Sequence, residues 1–389
     1  MRVCAPDRYN RIPEGDVCRG SPLWGGTDSG GDRRRLVAAA PVWCMHVGII
    51  GAGAAASAAA YVIDGSTDAE LTVLEKSGGL CGRAATRRRG PVTYDYGANY
   101  FKDDDERVVD LVTETLDTEG LETIDDPVWV FDGSGAVSEG RNGDDRRWTY
   151  RQGLTQLAKR LLGQTGATVH RHTQVTAIER VDSAWLVTDA DGGEWGPFDV
   201  LLCNPPAPQT AALLRGADWE SPDRSALVDA VESVEYRAVW TAVLGYEFSI
   251  DRPYYGLVNP GKNHDVGWIS REECKPGRVP AGQSVFIVQA GHDWSVEHYD
   301  ETPAENVAEL AEMTADVVGD DRLAAPDWTD YQGWRYALPE NAAPTEPLRA
   351  AEQSGLYPLG DWVTGEARIH AALRNGLETG ERVALAAAD

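Results

Sequence analysis

A glycine-rich turn between an apolar strand and a helix of small residues restricts the fold more than any other feature. Residues 47–50 are apolar or glycine and lead directly into Gly51-Ala52-Gly53-Ala54-Ala55-Ala56. This pattern, G-x-G-x-x-A, is the fingerprint of a dinucleotide-binding βαβ unit. Gly51 permits the tight turn, Gly53 lets a pyrophosphate approach the backbone, and Ala56 lets the helix pack closely on the sheet. The helix N-terminus then offers free N–H groups to the phosphates.

The next strand supports this nucleotide site. Residues 71–74 are mostly apolar and end at Glu75, which comes 24 residues after Gly51. A carboxylate at this point accepts hydrogen bonds from the ribose hydroxyls of an adenosine. Further strands are predicted at residues 167–178 and 199–203, and an amphipathic helix at residues 153–161. The sequence therefore predicts an α/β fold with a parallel sheet that begins near Met45.

A second glycine-rich segment directly follows Glu75. Lys76 leads into Ser77-Gly78-Gly79-Leu80-Cys81-Gly82-Arg83-Ala84-Ala85-Thr86. This segment, a glycine pair followed by G-R-x-x-T, resembles the second fingerprint of the amine-oxidase-like FAD proteins. The resemblance implies that Gly79 and Gly82 let the chain fold over the pyrophosphate of FAD, and that Arg83 supplies a cation to it.

Later segments resemble the remaining FAD contacts of the same proteins. Gly97-Ala98-Asn99 resembles the loop beside the flavin ring, and Leu359-Gly360-Asp361-Trp362 looks like the last strand, whose aspartate holds the ribityl chain. Val175 would lie against the adenine through its backbone, although a plain structural strand fits it equally well. After Arg368-Ile369-His370-Ala371, a helix over residues 370–387 would aim its positive end at the pyrimidine ring. Because neither His nor Cys stands where a covalent tether is expected, noncovalent FAD is predicted.

Nearly the whole chain after its N-terminal segment resembles the renalase-like FAD-dependent oxidoreductases. The resemblance covers residues 46–385 and rests on G-L-x-x-L-A-K at 153–159, P-x-P-Q at 206–209, W-I-S-R at 268–271, K-P-G-R at 275–278 and W-R-Y-A at 334–337. It implies a Rossmann-type FAD-binding domain of residues 45–105, 148–232 and 331–389. A second, mostly antiparallel α+β substrate domain would comprise residues 106–147 and 233–330.

The same resemblance implies a reaction. Renalase-like proteins take a hydride from a small dihydronicotinamide-type donor, an isomer of NAD(P)H, and pass the electrons to oxygen with release of hydrogen peroxide. The chain departs from their pattern at Glu272-Glu273-Cys274 and at His370. Because both departures lie near the predicted active site, the identity of the substrate stays open at this point.

Hydride transfer to a flavin depends more on position than on acid–base groups. Trp334 and Tyr336 are candidates for the wall of a substrate pocket, with core aromatics of a sheet as the alternative. His370 is a candidate for proton movement, with a structural histidine as the alternative. Lys262 and Lys275 invite comparison with the lysine that orients a water in amine oxidases, but an exposed turn is the stronger expectation for both.

Two other functions remain open from the sequence. One is a flavin amine oxidase or desaturase, for which an aromatic cage or a long apolar tunnel beside the flavin would be evidence. The other is a non-enzymatic FAD- or NAD-binding sensor. Reduction of the flavin by a dihydronicotinamide would argue against the sensor.

Charge and cysteine content exclude several partners. The formal net charge is −26, with 62 Asp and Glu against 36 Lys and Arg, so nucleic acid and anionic membranes are not expected partners. Only 5 of the basic residues are lysines, which suggests a high-salt cytoplasm. The 6 cysteines include no C-x-x-C pair, which favours a reducing cytoplasm and gives no support to a metal site. The oligomeric state cannot be predicted.

Residues 1–44 differ from the rest of the chain. They hold 7 Arg, 4 Asp and 1 Glu, and they contain three of the six cysteines. They also lack helical or strand periodicity. We therefore expect an extraneous or disordered segment, with a targeting signal around Arg33-Arg34-Arg35 and Cys44 as the weaker alternative.

Overall fold

A parallel sheet forms around the strand that leads into the glycine-rich turn. The computed structural model describes residues 44–140 and 146–388, and its strands and helices are numbered along the chain. The sheet contains, in spatial order, β10 (Thr168–Arg171), β2 (Glu70–Glu75), β1 (His46–Ile50), β14 (Val200–Cys203) and β20 (Leu356–Pro358). All neighbours pair in parallel, so the carboxyl ends of the strands meet at one edge. Open α/β sheets bind ligands at this edge.

Two long helices pack very closely on one face of this sheet. They are α1 (Ala54–Ser66) and α10 (Ile369–Ala388). A Cβ atom on Gly376 would lie 2.1 Å from the Ala55 carbonyl oxygen, so only glycine permits this approach. The same layer contains α2 (Glu106–Asp110), the π-helical turn Leu111–Thr115 and α3 (Gln156–Gly163). The close contact fixes the N-terminus of α10 relative to that of α1.

The opposite face carries a small antiparallel sheet and three helices. The strands are β11 (Val175–Val181), β12 (Ala184–Asp189) and β13 (Glu194–Phe198). The helices are α4 (Ala207–Gly216), α5 (Arg224–Glu232) and α8 (Thr345–Glu352). Trp185, Phe198 and Trp362 are fully buried in this layer. Burial of such large aromatic side chains contributes most of the stabilisation that holds a layer of this kind together.

A second, larger sheet forms the other half of the fold. Its spatial order is β19 (Trp328–Pro339), β15 (Tyr236–Tyr246), β18 (Ser284–Ala290), β17 (Val266–Arg271), β16 (Gly256–Val258), β7 (Val128–Phe131) and β8 (Val137–Ser138). Its neighbours pair antiparallel except β16 with β7. Helices α6 (His292–Glu297) and α7 (Pro303–Val318) pack on one face. The hairpin β3 (Thr86–Arg89) and β4 (Val92–Asp95) packs on the other.

Short elements connect the two halves. A three-stranded sheet contains β5 (Phe101–Lys102), β9 (Arg147–Tyr150) and β6 (Leu121–Thr123), and α9 (Asp361–Thr364) follows β20. Single 3₁₀ turns lie at Gly82–Ala84, Glu272–Cys274 and Asp321–Ala324. The first turn is part of the second glycine-rich segment, and the second turn is the Glu272–Cys274 departure from the renalase-like pattern.

The predicted fold class is confirmed, with a parallel-sheet half and a mostly antiparallel half. The domain boundaries stay a prediction, and the proposed N-terminal segment lies outside the described residues apart from Cys44. Two details of the sequence interpretation were wrong. Residues 167–178 form two strands in different sheets, because the chain turns at His172, whose φ is +59°. The predicted helix at 153–161 begins only at Gln156, because Gly153 adopts a turn with φ +97°.

Candidate active site

The glycine-rich turn lies at the carboxyl edge of the parallel sheet. Gly51 has φ +89°, a conformation that side chains disfavour, and Gly53 is the residue immediately before α1. No side chain caps this helix, and its first turn contains no acidic residue. The first N–H groups of Ala54, Ala55 and Ala56 thus face a region where a phosphate group fits. The residues present therefore suit the pyrophosphate of a dinucleotide.

Glu75 is buried at the end of β2 and joins both glycine segments. One carboxylate oxygen accepts a hydrogen bond of 2.8 Å from the Ala52 N–H. The other accepts from the backbone N–H of Ser77 at 2.8 Å and from its hydroxyl at 2.7 Å. A carboxylate oxygen has two lone-pair sites, so Glu75 retains capacity for a ribose hydroxyl. Contact with the ribose stays a prediction.

The second glycine segment lies against the first. The Cys81 N–H donates to the Ala52 carbonyl oxygen at 2.8 Å, and a Cβ on Gly82 would come 3.8 Å from the Gly53 Cα. Lys76 and Gly79 are exposed on the connecting turn, and a Cβ on Gly79 would meet nothing within 4 Å. Open space at Gly79 leaves room beside the turn for a bound group. Burial raises the pKa of the Cys81 thiol to about 12.

Arg83 and Asp361 form an ion pair that connects the second glycine segment to the end of β20. The guanidinium of Arg83 lies 2.7 Å from Asp361 Oδ1, and it also donates to the Ala337 carbonyl oxygen at 2.9 Å. Gly360 has φ +145° and its N–H donates to Asn375 of α10. The predicted last strand was misplaced, because it ends at Pro358 and Asp361 begins the short helix α9.

Asn204 is a site residue that sequence analysis missed. It follows β14 directly, and its side chain donates to the Leu359 carbonyl oxygen at 3.1 Å. A Cβ on Gly53 would come 2.4 Å from its Oδ1. Asn204 thus lies between the first glycine segment and the Gly360 turn. The available signal was its place at the carboxyl end of a buried parallel strand.

The N-terminus of α10 carries the other predicted residues of this side. Ile369, His370 and Ala371 are buried, whereas Arg368 is exposed. His370 Nε2 lies 2.8 Å from Glu366 Oε1, and Arg374 binds the other oxygen of Glu366 at 3.3 Å. Burial opposes ionisation of Glu366, but the hydrogen bonds from His370 and Arg374 give a net lowering of its pKa. His370 is thus held by an acid that stands four residues earlier in the chain, before α10 begins.

The segment Tyr96–Asn99, here called the ring loop, is fixed on both sides. The Ala98 N–H donates to the Arg83 carbonyl oxygen at 2.9 Å, and a Cβ on Gly97 would come 2.1 Å from that oxygen. From the antiparallel sheet, Gln289 donates to the Gly97 carbonyl oxygen at 2.6 Å. Ser270 donates to Asn99 Oδ1 at 3.0 Å. The two halves of the fold therefore meet at this loop.

The sheet face above the ring loop carries aromatic and amide side chains. Gln332, Thr241, Gln289 and Trp268 pair in one row across four strands, so their side chains share a face. Trp334, on the same face, stacks on Tyr96 with ring centres 5.4 Å apart and an interplanar angle of 17°. Its indole N–H donates to the Tyr96 carbonyl oxygen at 3.1 Å. Four partly exposed side chains define the surface that we call the cleft: Trp334, Gln289 and Trp268 on the sheet, and Tyr100, whose ring centre lies 6.0 Å from that of Trp268.

Other candidate residues lie in different surroundings. Tyr336, two residues beyond Trp334 in β19, meets Tyr236 edge-on with ring centres 5.7 Å apart. Val175 begins β11, in the small antiparallel sheet, where it pairs with Asp189. Lys262 is exposed in a turn, as expected. The expectation for Lys275 was wrong, because its side chain has no exposed surface and forms ion pairs with Glu272 and Asp95.

In residues 44–140 and 146–388, no group of three or more His, Cys, Asp or Glu side chains is arranged to hold a metal ion. Over the same ranges, no helix has the length and apolar character needed to cross a membrane.

Fold and site together define a two-part flavoprotein oxidoreductase, and comparisons with known proteins agree. Residues 49–115 match the NAD(P)-binding Rossmann-like domain, and residues 121–384 match the flavin containing amine oxidoreductase family. The chain belongs to the flavin containing amine oxidoreductase family, and it is a flavin-dependent enzyme.

Solved structures with the same fold come from enzymes of several activities. A putative protoporphyrinogen oxidase from Exiguobacterium sp. 255-15 is 14% identical with a TM-score of 0.70, and the match covers 88% of this chain and 99% of that one. Cyclohexylamine oxidase from Brevibacterium oxydans IH-35A is 13% identical with a TM-score of 0.66, over 89% and 100% of the two chains. A fatty acid isomerase from P. acnes is 13% identical with a TM-score of 0.64, over 86% and 98%. At these low sequence identities, the structural similarity shows that this chain shares their fold.

Proposed function

We propose that this protein binds FAD noncovalently and oxidises a small dihydronicotinamide-type hydride donor, with oxygen as the electron acceptor. The flavin, when bound, accepts two electrons from the donor and passes them to oxygen. The chain itself holds the cofactor, orients the donor and excludes water. The observation that carries the proposal is the cleft, in which aromatic rings and a primary amide face the ring loop.

Each lining group suits a flat, uncharged ring that bears a carboxamide. Trp334 offers an indole plane, which is supported from behind by Tyr96. Gln289 donates one N–H to the ring loop, which leaves a second N–H and a carbonyl oxygen for an amide partner. Held in this way, a donor reaches the near-attack geometry on which hydride transfer depends.

Assignment of the cofactor follows from the glycine segments. Gly51, Gly53 and the uncapped start of α1 would bind the pyrophosphate, and Glu75 the ribose of the adenosine. Arg83 and Asp361 would lie at the second phosphate and the ribityl chain, and the ring loop with the start of α10 at the flavin. The proposed set is completed by Lys76, Gly79, Gly82, Val175, Gly360, Arg368, Ile369 and Ala371.

Amine oxidation is the second candidate, because the family is named for amine oxidoreductases and the structural neighbours include cyclohexylamine oxidase and putrescine oxidase. Two observations weigh against it. Tyr96 and Trp334 stack on each other, so they do not form two facing walls of a cage. Of the two lysines compared with a water-orienting lysine, one is exposed in a turn and the other is enclosed by carboxylates.

Anaerobic stopped-flow of the purified protein tests the proposal. Its flavin absorbance would be followed after mixing with isomeric dihydronicotinamide dinucleotides, with ordinary NADH, and with primary amines. We expect fast bleaching by the isomers, slow bleaching by NADH, and peroxide release after oxygen is admitted. Fast bleaching by amines with none by any dihydronicotinamide would overturn the proposal in favour of amine oxidation.

A further inference from the structure

Four charged side chains without exposed surface lie together behind the ring loop. Asp95 and Glu272 are the acids, and Lys275 and Arg278 are the cations. Lys275 Nζ lies 2.5 Å from Glu272 Oε1 and 3.4 Å from Asp95 Oδ2. Arg278 lies 2.7 Å from Asp95 Oδ2 and 3.1 Å from Glu272 Oε2. The charges of the four groups, here called the charge cluster, balance each other. Tyr255 contacts both Lys275 and the cleft residues Tyr100 and Trp268.

The charge cluster joins three distant segments. Asp95, the last residue of β4, accepts hydrogen bonds from Thr86 at 2.6 Å and from the Leu154 N–H at 3.1 Å. Arg278 donates to the Thr149 hydroxyl at 2.6 Å and to the Tyr150 carbonyl oxygen at 3.0 Å. The next residue after Asp95 is Tyr96, where the ring loop begins. The position of the loop therefore depends directly on the carboxylate that the two cations hold.

A buried charge cluster is weak evidence for stability, because desolvation of each charge offsets much of the attraction between them. In some proteins such a cluster instead selects a single arrangement of the segments that carry it, since any other arrangement leaves a charge unpaired. We propose that the charge cluster positions the ring loop beside the flavin, and that it does so only while its charges balance. This inference rests on the proposed site in one respect, namely that the ring loop runs beside the flavin.

The surroundings of Glu272 determine how the cluster responds to loss of a cation. Glu272 faces Lys275 and Arg278 from its own segment, Asp95 from β4, and Tyr255 from the residue before β16. Burial raises the pKa of Glu272 above its ordinary value, and the two cations oppose that rise. Without Lys275, the pKa of Glu272 would rise further. Glu272 would then bind a proton at low pH and restore balance, whereas at higher pH its ionised form would leave one negative charge in excess.

The test compares Lys275→Met with the double variant Lys275→Met/Glu272→Gln, which removes one charge of each sign. Lys262→Met, at an exposed turn, is the matched control. Hydrogen–deuterium exchange of peptides that cover residues 96–101 reports the ring loop without need of any substrate. Visible circular dichroism of the bound flavin, measured from pH 5.5 to 8.5, reports the surroundings of the ring.

We expect Lys275→Met to show about ten-fold faster exchange of the loop than wild type, with an altered flavin spectrum. The difference should shrink as the pH falls, because protonation of Glu272 restores the balance of charge. The double variant and Lys262→Met should match wild type at every pH. Wild-type exchange and flavin spectrum in Lys275→Met at all pH values would overturn the inference. If Lys275→Met does not fold, the double variant alone tests the inference. A folded double variant whose loop exchanges faster than that of wild type would equally overturn the inference. Neither readout depends on the identity of the hydride donor.

Discussion

The guanidinium of Arg83 lies 2.7 Å from the carboxylate of Asp361, and this contact joins two segments that are 278 residues apart in sequence. Asp361 is largely buried and Arg83 only partly exposed. The pair closes the carboxyl edge of the parallel sheet between the second glycine segment and the start of α9. A group bound between these two segments would therefore contact the pair.

Asp361→Asn should lower both the thermal stability and the fraction of chains that retain FAD. The substitution keeps the shape but removes the charge, and a hydrogen bond to a charged group contributes about 1.5–3 kcal/mol. The control is Asp300→Asn, in the exposed pair with Arg335 at 3.6 Å, where about 0–1 kcal/mol is expected. Thermal unfolding and flavin content after gel filtration measure both effects. Equal losses in the two variants would show that the Arg83–Asp361 contact has no special role.

Gly53→Asp should abolish FAD binding. A Cβ at this position would come 2.4 Å from Asn204 Oδ1, and the added carboxylate would repel the pyrophosphate. Gly65→Asp is the control, because Gly65 lies near the other end of α1 and a Cβ there meets nothing within 4 Å. The measurement is the ratio of flavin to protein absorbance in the purified variants. A yellow Gly53→Asp protein would show that the nucleotide binds elsewhere.

Glu75→Gln should weaken FAD binding by about 1–3 kcal/mol, since its carboxylate accepts charge-assisted hydrogen bonds from both glycine segments. Glu70→Gln, at the exposed start of the same strand, serves as the control. Titration of the apoprotein with FAD, followed by flavin fluorescence, gives both dissociation constants. If the two variants bind FAD equally well, Glu75 supports neither the turn nor the ribose.

Cys81 should resist alkylation in the folded protein. Its side chain is 2% exposed, and burial raises the pKa of its thiol to about 12, so the reactive thiolate is scarce at pH 8. Iodoacetamide at pH 8, followed by peptide mass spectrometry, should label the exposed Cys44 first. Cys81 should react only after unfolding in guanidinium. Rapid labelling of Cys81 in the native state would show that the second glycine segment opens readily.

Local backbone chemistry made part of this site predictable from sequence. At Gly51, Gly53 and Gly360 the backbone adopts a turn that favours glycine or comes very close to another segment. Such requirements place glycines at fixed spacings, and this spacing can be recognised in the sequence. The charge cluster left no such pattern, because Asp95 and Arg278 are 183 residues apart and meet only through the packing of β4 on the antiparallel sheet. The error at Lys275 has the same cause. A lysine before Pro-Gly is normally solvated, and the acids that compensate its burial come partly from another segment.

Trp334→Ala should slow the reduction of the flavin by its donor while leaving the flavin content close to that of wild type. The indole lines the cleft and is fixed by its stack on Tyr96 and its hydrogen bond to the Tyr96 carbonyl oxygen. Loss of a positioning surface costs about a hundred-fold in rate when it shifts the reacting groups by about 1 Å. Trp334→Phe retains a ring that can stack on Tyr96, so its rate of flavin reduction should lie between those of wild type and Trp334→Ala. Trp328→Ala is the control, because Trp328 packs over Tyr94 at the far end of the same sheet face and should affect stability alone. The measurement is anaerobic bleaching at saturating donor, and equal rates in wild type and Trp334→Ala would place the donor elsewhere than over the ring loop.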